Sequence, residues 1–347
     1  MIGKKFALLA LSAFCLCLYS TACSDLSADE PQPSKAIAAE ARGSSETKLT
    51  LSSTLVVVLG AAGTDDYRSE FQHAAQVWAK LAAQRAMQLV LIDATSSSDG
   101  GLSQRDQLRN AIASAREQKT TLWLVLIGHG TSERGVHKFN LVGPDCSSSD
   151  LAEWIKDIDR QVILLNCFSS SGPFLPELSA ANSIIVTATR SGSESNYSRF
   201  GGYLADSIID PATDIDHDDE VSLLEAFLSA SARTQTFYRE ESRLATEHAM
   251  LDDNGDKFGT GAEFYHGTHA VKSAQSEKQP DGNAARQLIL WSKESAARLS
   301  LQAEEQRAAI EAEITMLRTS KPSPPTDAYW NELERLLLKL AAVYELD

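Results

Sequence analysis

The sequence predicts an α/β fold in which a mostly parallel sheet carries helices on both faces. Two apolar runs, residues 122–127 and 162–165, are the strongest indication. Short β-branched and aliphatic segments bounded by Gly and Ser are typical of strands buried on both faces. The intervening residues 148–158 have helical spacing, and a helix there supplies the crossover that a parallel pair of strands requires.

Further segments alternate in the same way and complete the predicted sheet. The predicted strands cover residues 54–59, 89–92, 122–127, 162–165 and 183–188, and the predicted helices cover residues 69–85, 105–117, 148–158 and 199–209. Strands that alternate with helices favour a parallel sheet covered on both faces. The glycine-rich residues 60–63 lack the G-x-x-x-x-G-K-[ST] spacing of a phosphate loop, so they predict a tight strand-to-helix turn.

The C-terminal part of the chain predicts a separate helical element. Residues 272–283 have the composition of a linker, and residues 284–319 and 327–344 combine charged side chains with apolar ones at helical spacing. Prolines interrupt this pattern between the two segments. The pattern therefore predicts an α-helical hairpin over residues 284–347. Its apolar stripe predicts packing against the main domain or self-association through the C-terminal helices.

Composition limits the classes of protein to consider. The chain has 347 residues, of which 43% are hydrophobic, so it can fill a sizeable core. Its formal net charge of −15 argues against nucleic acid or an anionic lipid surface as a partner. We therefore expect no nucleic-acid partner.

The N-terminus has the layout of a secretory signal. Lys4 and Lys5 precede an apolar run over residues 6–19, and small residues follow that run. The run is too short for a comfortable transmembrane helix. We therefore predict a signal peptide over residues 1–22 and secretion across the inner membrane.

Cys23 directly follows Ser-Thr-Ala, which resembles the signal of a bacterial lipoprotein in which this cysteine is lipidated. Ser20 stands where that signal usually has Leu, and plain secretion is the alternative. Residues 23–50, rich in Ser, Ala, Glu and Pro, predict a flexible tether. The predicted location is the bacterial cell envelope, in the periplasm or at the outer membrane, with membrane contact only through the lipidated N-terminus.

His129 and Cys167 each follow one of the two strongest strand predictions. The carboxyl ends of neighbouring parallel strands converge on one crevice, so these side chains can meet there as base and nucleophile. A nearby imidazole also favours the reactive thiolate. The alternative is a structural role for Cys167 in a disulfide with Cys146, since these two cysteines lie beyond the predicted signal and lipidation site.

Gly128-His129-Gly130, followed after an apolar strand by Asn166-Cys167, resembles the caspase-type (clan CD) cysteine peptidases. The match is to their legumain-like branch, in a bacterial secreted or lipoprotein form, and it continues through residues 184–195 and 246–253. It implies a caspase-like fold with the mostly parallel sheet described above, in a peptidase domain over residues 51–271. The helical hairpin lies outside that domain.

This resemblance implies a cysteine endopeptidase that acts on a peptide or protein substrate and requires no cofactor for catalysis. Cys167 would attack the peptide carbonyl to form a thioester, and His129 would protonate the departing amine and then activate water. The backbone N–H groups of Gly130 and Cys167 would hold the oxyanion. Glu194 and Ser195 would line the substrate pocket, where an inward Glu194 favours a basic P1 residue.

The sequence departs from the legumain-like pattern directly after the predicted nucleophile. In that pattern one residue and then Ser-Gly follow the nucleophile, whereas Gly172 comes two positions late after Cys167. The serines at residues 169–171 suggest a serine nucleophile, but hydroxyl groups after a strand are more often turn and cap residues. No Asn or Asp obviously orients His129.

Two other functions stay open at this point. A catalytically silent relative would use the same fold as an envelope module that binds a peptide or a partner protein, with the C-terminal hairpin as its docking element. A transpeptidase or ligase would pass the same thioester to an amine instead of water. The sequence does not decide between hydrolysis and transfer.

One acidic segment matches the calcium-binding loop of an EF-hand. Asp214, Asp216, Asp218 and Glu225 stand at relative positions 1, 3, 5 and 12, whose oxygens wrap a Ca²⁺ ion in that loop. Asp219 replaces the Gly of the sharp turn, and Asp tolerates a left-handed backbone better than most residues. The segment predicts a structural Ca²⁺ site, with an acidic helix start as the alternative.

A second oxygen-rich segment follows later in the chain. Residues 252–256, Asp-Asp-Asn-Gly-Asp, offer several side-chain oxygens but lack a closing Glu at the required spacing. The remaining histidines lack the paired spacing of metal ligands, so we interpret them as structural or exposed.

Overall fold

The computed structural model describes residues 53–94, 101–271, 279–293, 301–322 and 325–345. The predicted signal peptide 1–22, lipidation at Cys23 and the tether 23–50 lie outside these residues and stay predictions. Within the described residues, no helix is long and apolar enough to span a bilayer.

The secondary structure follows the predicted alternation and adds elements to it. The strands are Ser53–Leu59 (β1), Gln88–Ile92 (β2), Thr121–Gly128 (β3), Gly130–Glu133 (β4), Val136–Phe139 (β5), Cys146–Ser147 (β6), Val162–Phe168 (β7), Ser183–Thr187 (β8), Glu220–Ser222 (β9), Met250–Asp252 (β10), Thr260–Gly261 (β11), Tyr265–His266 (β12), His269–Ala270 (β13) and Ile289–Ser292 (β14). The helices are Asp65–Gln84 (α1), Gln104–Gln118 (α2), Ser148–Ile155 (α3), Phe174–Leu178 (α4), Phe200–Ile208 (α5), Leu223–Glu240 (α6), Asn283–Gln287 (α7), Leu301–Thr319 (α8) and Asp327–Glu345 (α9).

The central sheet has seven strands in the order β11-β10-β8-β7-β3-β1-β2. Strands β2, β1, β3, β7 and β8 are parallel to their neighbours, and β10 and β11 add an antiparallel edge. The predicted mostly parallel sheet is therefore confirmed. All five strands that the sequence predicted belong to its parallel part.

Both faces of the sheet are covered because the side chains of each strand alternate between two apolar clusters. On one face, Val125 and Leu165 pack with side chains of α1, α5 and α6, including the fully buried Trp78. On the other face, Leu124 and Leu164 pack with side chains of α2, α3 and α4. The prediction of helices on both faces is confirmed.

Side-chain caps fix where several helices begin. Thr64 accepts a hydrogen bond at the start of α1, and Ser147 and Asp150 form a reciprocal capping box at α3. Ser222 and Glu225 form a second capping box at α6. The sequence analysis did not predict α6 or the small antiparallel sheet β4-β5-β6, whose polar and glycine-containing strands lack a clear period of two.

The C-terminal region differs from the prediction at its first helix. The predicted helix from residue 284 is wrong over residues 288–293, where β14 pairs with β9 and buries Leu290. A four-residue apolar segment is too short for a helix of its own, and the edge of β9 supplies its hydrogen-bond partners. The two later helices, α8 and α9, are present and contact each other, and Arg307 of α8 lies 2.5 Å from Glu220 of the main domain.

Helix α5 packs on β7 through a glycine. A Cβ atom placed on Gly201 would lie 2.5 Å from the Cβ of Cys167, which is closer than real side chains approach. The adjacent Gly202 has no atom within 4 Å of such a position. The close contact between α5 and β7 therefore requires a residue without a side chain at position 201.

We predict that Gly201→Ala lowers the free energy of unfolding by about 1–3 kcal/mol, because overpacking forces the helix away from the strand. Gly202→Ala is the matched control and should be neutral or stabilising by about 0.5 kcal/mol, because Ala has the higher helix propensity. Urea unfolding of both variants measures the difference. Equal stability of the two would show that α5 does not pack this closely on β7.

Candidate active site and candidate metal sites

His129 is the first residue after β3, and a backbone carbonyl orients its ring. Its Nε2 lies 3.2 Å from the carbonyl oxygen of Ala62, in the turn between β1 and α1. Because a carbonyl only accepts hydrogen bonds, Nε2 carries the proton and Nδ1 is left as the acceptor nitrogen. The sequence analysis found no orienting group because a backbone oxygen leaves no side-chain signal.

Three aromatic rings enclose the imidazole of His129. The ring centroids of Tyr67, Phe71 and Tyr197 lie 5.0, 5.6 and 5.7 Å from that of His129, each with its ring inclined to the imidazole. The hydroxyl of Tyr197 donates to the carboxylate of Glu70, and burial together with this bond raises the pKa of Tyr197. The aromatic packing holds the imidazole in one place at the edge of the sheet.

Gly130 stands against the end of β7 with no room for a side chain. A Cβ atom at this position would lie 2.3 Å from the carbonyl oxygen of Ser169 and 2.6 Å from the ring of Phe168. The N–H of Gly130 donates to Oγ of Ser169 at 3.2 Å. The N–H group predicted to hold an oxyanion therefore contacts a serine hydroxyl.

Cys167 lies inside β7 instead of beyond its end. It is paired in register with Ile127 of β3, its side chain is 3% exposed, and its Cβ faces Gly201 of α5. Burial alone raises the pKa of the Cys167 thiol to about 12. Among the described residues no hydrogen bond or ion pair joins this thiol to His129, so the structure holds Cys167 as a buried thiol.

The alternative disulfide between Cys146 and Cys167 is wrong. Both cysteines are free and buried. Cys146 belongs to the apolar cluster on one face of the sheet, and Cys167 belongs to the cluster on the other face. The sheet itself separates the two sulfur atoms.

A buried turn of three serines connects β7 to α4. Ser170 has a left-handed backbone with φ of 58°, and its N–H donates to the carbonyl oxygen of Glu194 at 2.8 Å. The hydroxyl of Ser170 is buried without a hydrogen-bond partner, whereas that of Ser171 pairs with Thr189 at 3.2 Å. Hydrogen bonds and close packing therefore fix the backbone of this turn.

Glu194 stabilises its own loop and does not line an open pocket. Its carboxylate accepts from Nδ1 of His248 at 2.6 Å, from the N–H of His248 at 3.2 Å and from the N–H of Arg190 at 2.8 Å. The side chain is only 11% exposed, and the neighbouring Ser195 is exposed. An inward Glu194 with three internal donors is satisfied, so the expected selection of a basic P1 residue does not follow from it.

Glu247 is a buried organising residue that the sequence analysis missed. Its carboxylate accepts from the hydroxyl of Ser198 at 2.6 Å and from the N–H groups of Arg199 and Phe200 at 2.9 and 3.2 Å. The hydroxyl of Tyr238 donates to it as well. These bonds fix the start of α5 beside the aromatic rings around His129.

The predicted calcium loop brings its carboxylates together. Oxygen atoms of Asp214, Asp216 and Asp218 lie within 4.8 Å of one another. The fourth predicted ligand, Glu225, is outside this group: its carboxylate accepts from the N–H of Ile215 at 2.8 Å and forms the capping box of α6 with Ser222. Asp219 adopts the left-handed conformation, with φ of 66°, that a Gly normally supplies at this position.

Cations pair with the flanking acids of this loop, Lys293 with Asp219 at 3.0 Å and Arg307 with Glu220 at 2.5 Å, but the carboxylates of the cluster still repel one another. Burial and the neighbouring Asp216 raise the pKa of Asp218 to about 7, and burial and Glu225 raise the pKa of Asp216. Carboxylates resist ionisation when they are close and partly removed from water. A divalent cation with oxygen preference fits this donor set.

A second carboxylate group involves a residue far along the chain. Oxygen atoms of Asp252, Asp256 and Asp281 lie within 4.8 Å of one another. The hydroxyl of Thr260 donates to Asp281 at 2.6 Å, and burial raises the pKa of Asp281 to about 7. The sequence analysis identified residues 252–256 but had no signal for Asp281.

Comparisons with known proteins give only a distant similarity. No protein-family model matches this chain, and no curated protein sequence matches it. Among solved structures, the chain is similar to the Drosophila initiator caspase Dronc, with 13% sequence identity and a TM-score of 0.37. That match covers 60% of this chain and 81% of the caspase chain. At this identity the similarity carries no statement about activity.

We predict that millimolar Ca²⁺ raises the melting temperature of the chain, because the ion compensates the carboxylates at residues 214, 216 and 218. Asp218→Asn should remove most of this increase. Asp219→Asn is the matched control, because Asn also tolerates the left-handed backbone and residue 219 lies outside the cluster. An equal Ca²⁺ effect in both variants would place the ion elsewhere.

We also predict that, with EDTA present, stability falls as the pH rises from about 4 to 7. The pKa of Asp218 is raised in the folded state from an ordinary value of 3.8 to about 7, so the folded state binds its proton more tightly. The contribution of this protonation to the free energy of unfolding is complete below about pH 4 and is lost as the pH rises through about 7. Thermal melts of Asp218→Asn should show a weaker pH slope than those of Asp219→Asn, and equal slopes would contradict the assignment.

Proposed function

We propose that the chain is a caspase-type endopeptidase whose site lies at the carboxyl end of β3 and β7. One observation carries this proposal: the backbone carbonyl of Ala62 holds Nε2 of His129 and leaves Nδ1 free to accept a proton. An imidazole held in one tautomer by its second nitrogen is the arrangement of a general base. The resemblance of residues 128–130 to the clan CD peptidases supports the same assignment.

The chemistry is acyl transfer from a peptide carbonyl. His129 takes a proton from the nucleophile, gives it to the departing amine, and then takes a proton from water. The N–H of Gly130 faces the end of β7 and is suited to a developing oxyanion, provided that the hydroxyl of Ser169 moves aside. The sequence assigned the nucleophile to Cys167, whose thiol reaches a substrate only if α5 separates from β7 at Gly201.

Four further assignments belong to this proposal. The protein acts in the bacterial cell envelope on a peptide or protein substrate, anchored through a lipid on Cys23. A structural Ca²⁺ ion occupies the loop over residues 214–225. The helices α8 and α9 provide a surface for self-association, on which Trp330, Leu337 and Leu338 are exposed.

The second candidate is a catalytically silent module that binds a peptide or a partner protein. The buried Cys167 favours it, because a thiol with a pKa near 12 is almost entirely protonated at neutral pH. In this case the aromatic cluster around His129 would contact the bound partner. The two candidates differ in whether a bound peptide is cut.

A mixed peptide library incubated with the full chain, with products identified by mass spectrometry, distinguishes them. We expect cleavage that His129→Ala reduces by about 100-fold or more, the range for loss of a general acid–base group. His73→Ala is the matched control, since His73 lies on the exposed surface and pairs with Asp206. Peptides that bind without being cut, measured by calorimetry, would establish the silent module instead.

A further inference from the structure

We propose that Ser169, not Cys167, is the nucleophile of this site. This inference rests on the proposed function and names the residue that forms the covalent intermediate. Four features of the strand end carry it: the enclosure of Cys167, the position of Ser169 against Gly130, the strained turn that follows, and the free nitrogen of His129.

Helix α5 covers the side chain of Cys167. This residue is the sixth of the seven-residue strand β7, and its Cβ faces the backbone of Gly201 in α5. Its side chain belongs to the main apolar cluster, among Ile127, Phe200 and Leu204. An electrophile could reach this sulfur only after the helix leaves the sheet, which would expose a large part of the core.

Ser169 lies two residues further along, on the same side of the chain, and is the first residue beyond β7. Side chains alternate along a strand, so residues 167 and 169 share a face and 169 is nearer the edge. Its Oγ lies 3.2 Å from the N of Gly130 and 3.4 Å from the carbonyl oxygen of Gly130. Gly130 directly follows His129, so this hydroxyl contacts the backbone of the residue next to the proposed base.

Ser169 lies between the first residue of β4 and the turn that follows β7. Its own turn contacts the loop around Glu194 through the hydrogen bond from the N–H of Ser170. Ser169 and Cys167 are equally buried, 2% and 3% exposed, and a substrate would reach Ser169 only if that loop moved. Loop displacement requires far less unfolding than removal of a packed helix.

The backbone after Ser169 has the shape of a sharp turn that presents a nucleophile. Ser170 is in the left-handed region, which is costly for a residue with a Cβ, and its buried hydroxyl has no partner. Strained conformations of this kind occur at functional sites, and a sharp strand-to-helix turn exposes the serine of many hydrolases. Here the turn leads from β7 into α4.

The reaction balances with the groups present. The proton of the Ser169 hydroxyl passes to Nδ1 of His129 as the bond from Oγ to the carbonyl carbon forms, and the carbonyl electrons move to oxygen near the N–H of Gly130. The tetrahedral intermediate collapses, the C–N bond breaks, and His129 gives its proton to the amine. Water then attacks the ester with His129 as base, releasing the acid and restoring Ser169.

The test uses the full chain with two irreversible reagents, a fluorophosphonate for activated serines and a peptidyl acyloxymethyl ketone for activated cysteines. Modified residues are mapped by mass spectrometry. We expect the fluorophosphonate to modify Ser169, and His129→Ala to slow this by about 100-fold. Modification at Ser169 should persist in Cys167→Ala and in Ser170→Ala, the matched control for removal of a hydroxyl from the same turn.

A variant with a more reactive side chain keeps the test informative if Ser169 reacts slowly with the fluorophosphonate. Ser169→Cys in the Cys167→Ala background should react with the acyloxymethyl ketone at residue 169, dependent on His129, while melting temperatures confirm folding. Modification of Cys167 in the wild-type chain would overturn the assignment to Ser169 but keep the proposed peptidase. No His129-dependent modification in any variant would overturn both, because the site would then lack an activated nucleophile of either kind.

Discussion

The pairing of β3 with β7 is the constraint on which the candidate site depends. Seven residue pairs run in parallel register from Leu122 with Val162 to Gly128 with Phe168. Apart from Thr121 and Asn166 both strands are apolar, so burial of both faces stabilises the pair and one register is strongly specified. The two strands end together, and the residues that follow, His129 and Ser169, therefore leave the sheet at the same place.

Packing of α5 on β7 decides what surrounds Cys167. The core continues along β7 as far as Cys167, because α5 approaches closely at Gly201 and covers that position. Beyond this position the strand ends and the chain turns sharply at Ser170, which has a left-handed backbone. Both residues are buried, but Ser169 lies beyond the end of the strand and Cys167 lies within it.

Hydrogen-bond networks hold the loops around this edge. Glu194 joins the loop after β8 to His248, and Glu247 fixes the start of α5 through Ser198 and Arg199. Both carboxylates are nearly buried and accept several internal donors, which offsets the cost of removing their charge from water. In the acidic loops over residues 214–225 and 252–256 the carboxylates lie close together, and a cation would offset their mutual repulsion in the same way.

The sequence by itself determined the sheet and the region of the site. Apolar runs and helical spacing are local signals, so they predicted all five parallel strands and the helices on both faces. The Gly-His-Gly segment likewise marked His129. The unpredicted strands β4, β5, β6 and β14 are short, and β14 finds its hydrogen-bond partners in the distant strand β9.

Only the tertiary structure decided the chemistry of individual residues. The carbonyl of Ala62 that orients His129 and the carboxylate of Asp281 that joins Asp252 come from remote parts of the chain. The enclosure of Cys167 depends on the backbone of α5, since a missing side chain at Gly201 lets the helix approach. Such contacts depend on three-dimensional proximity, which spacing along the chain does not encode.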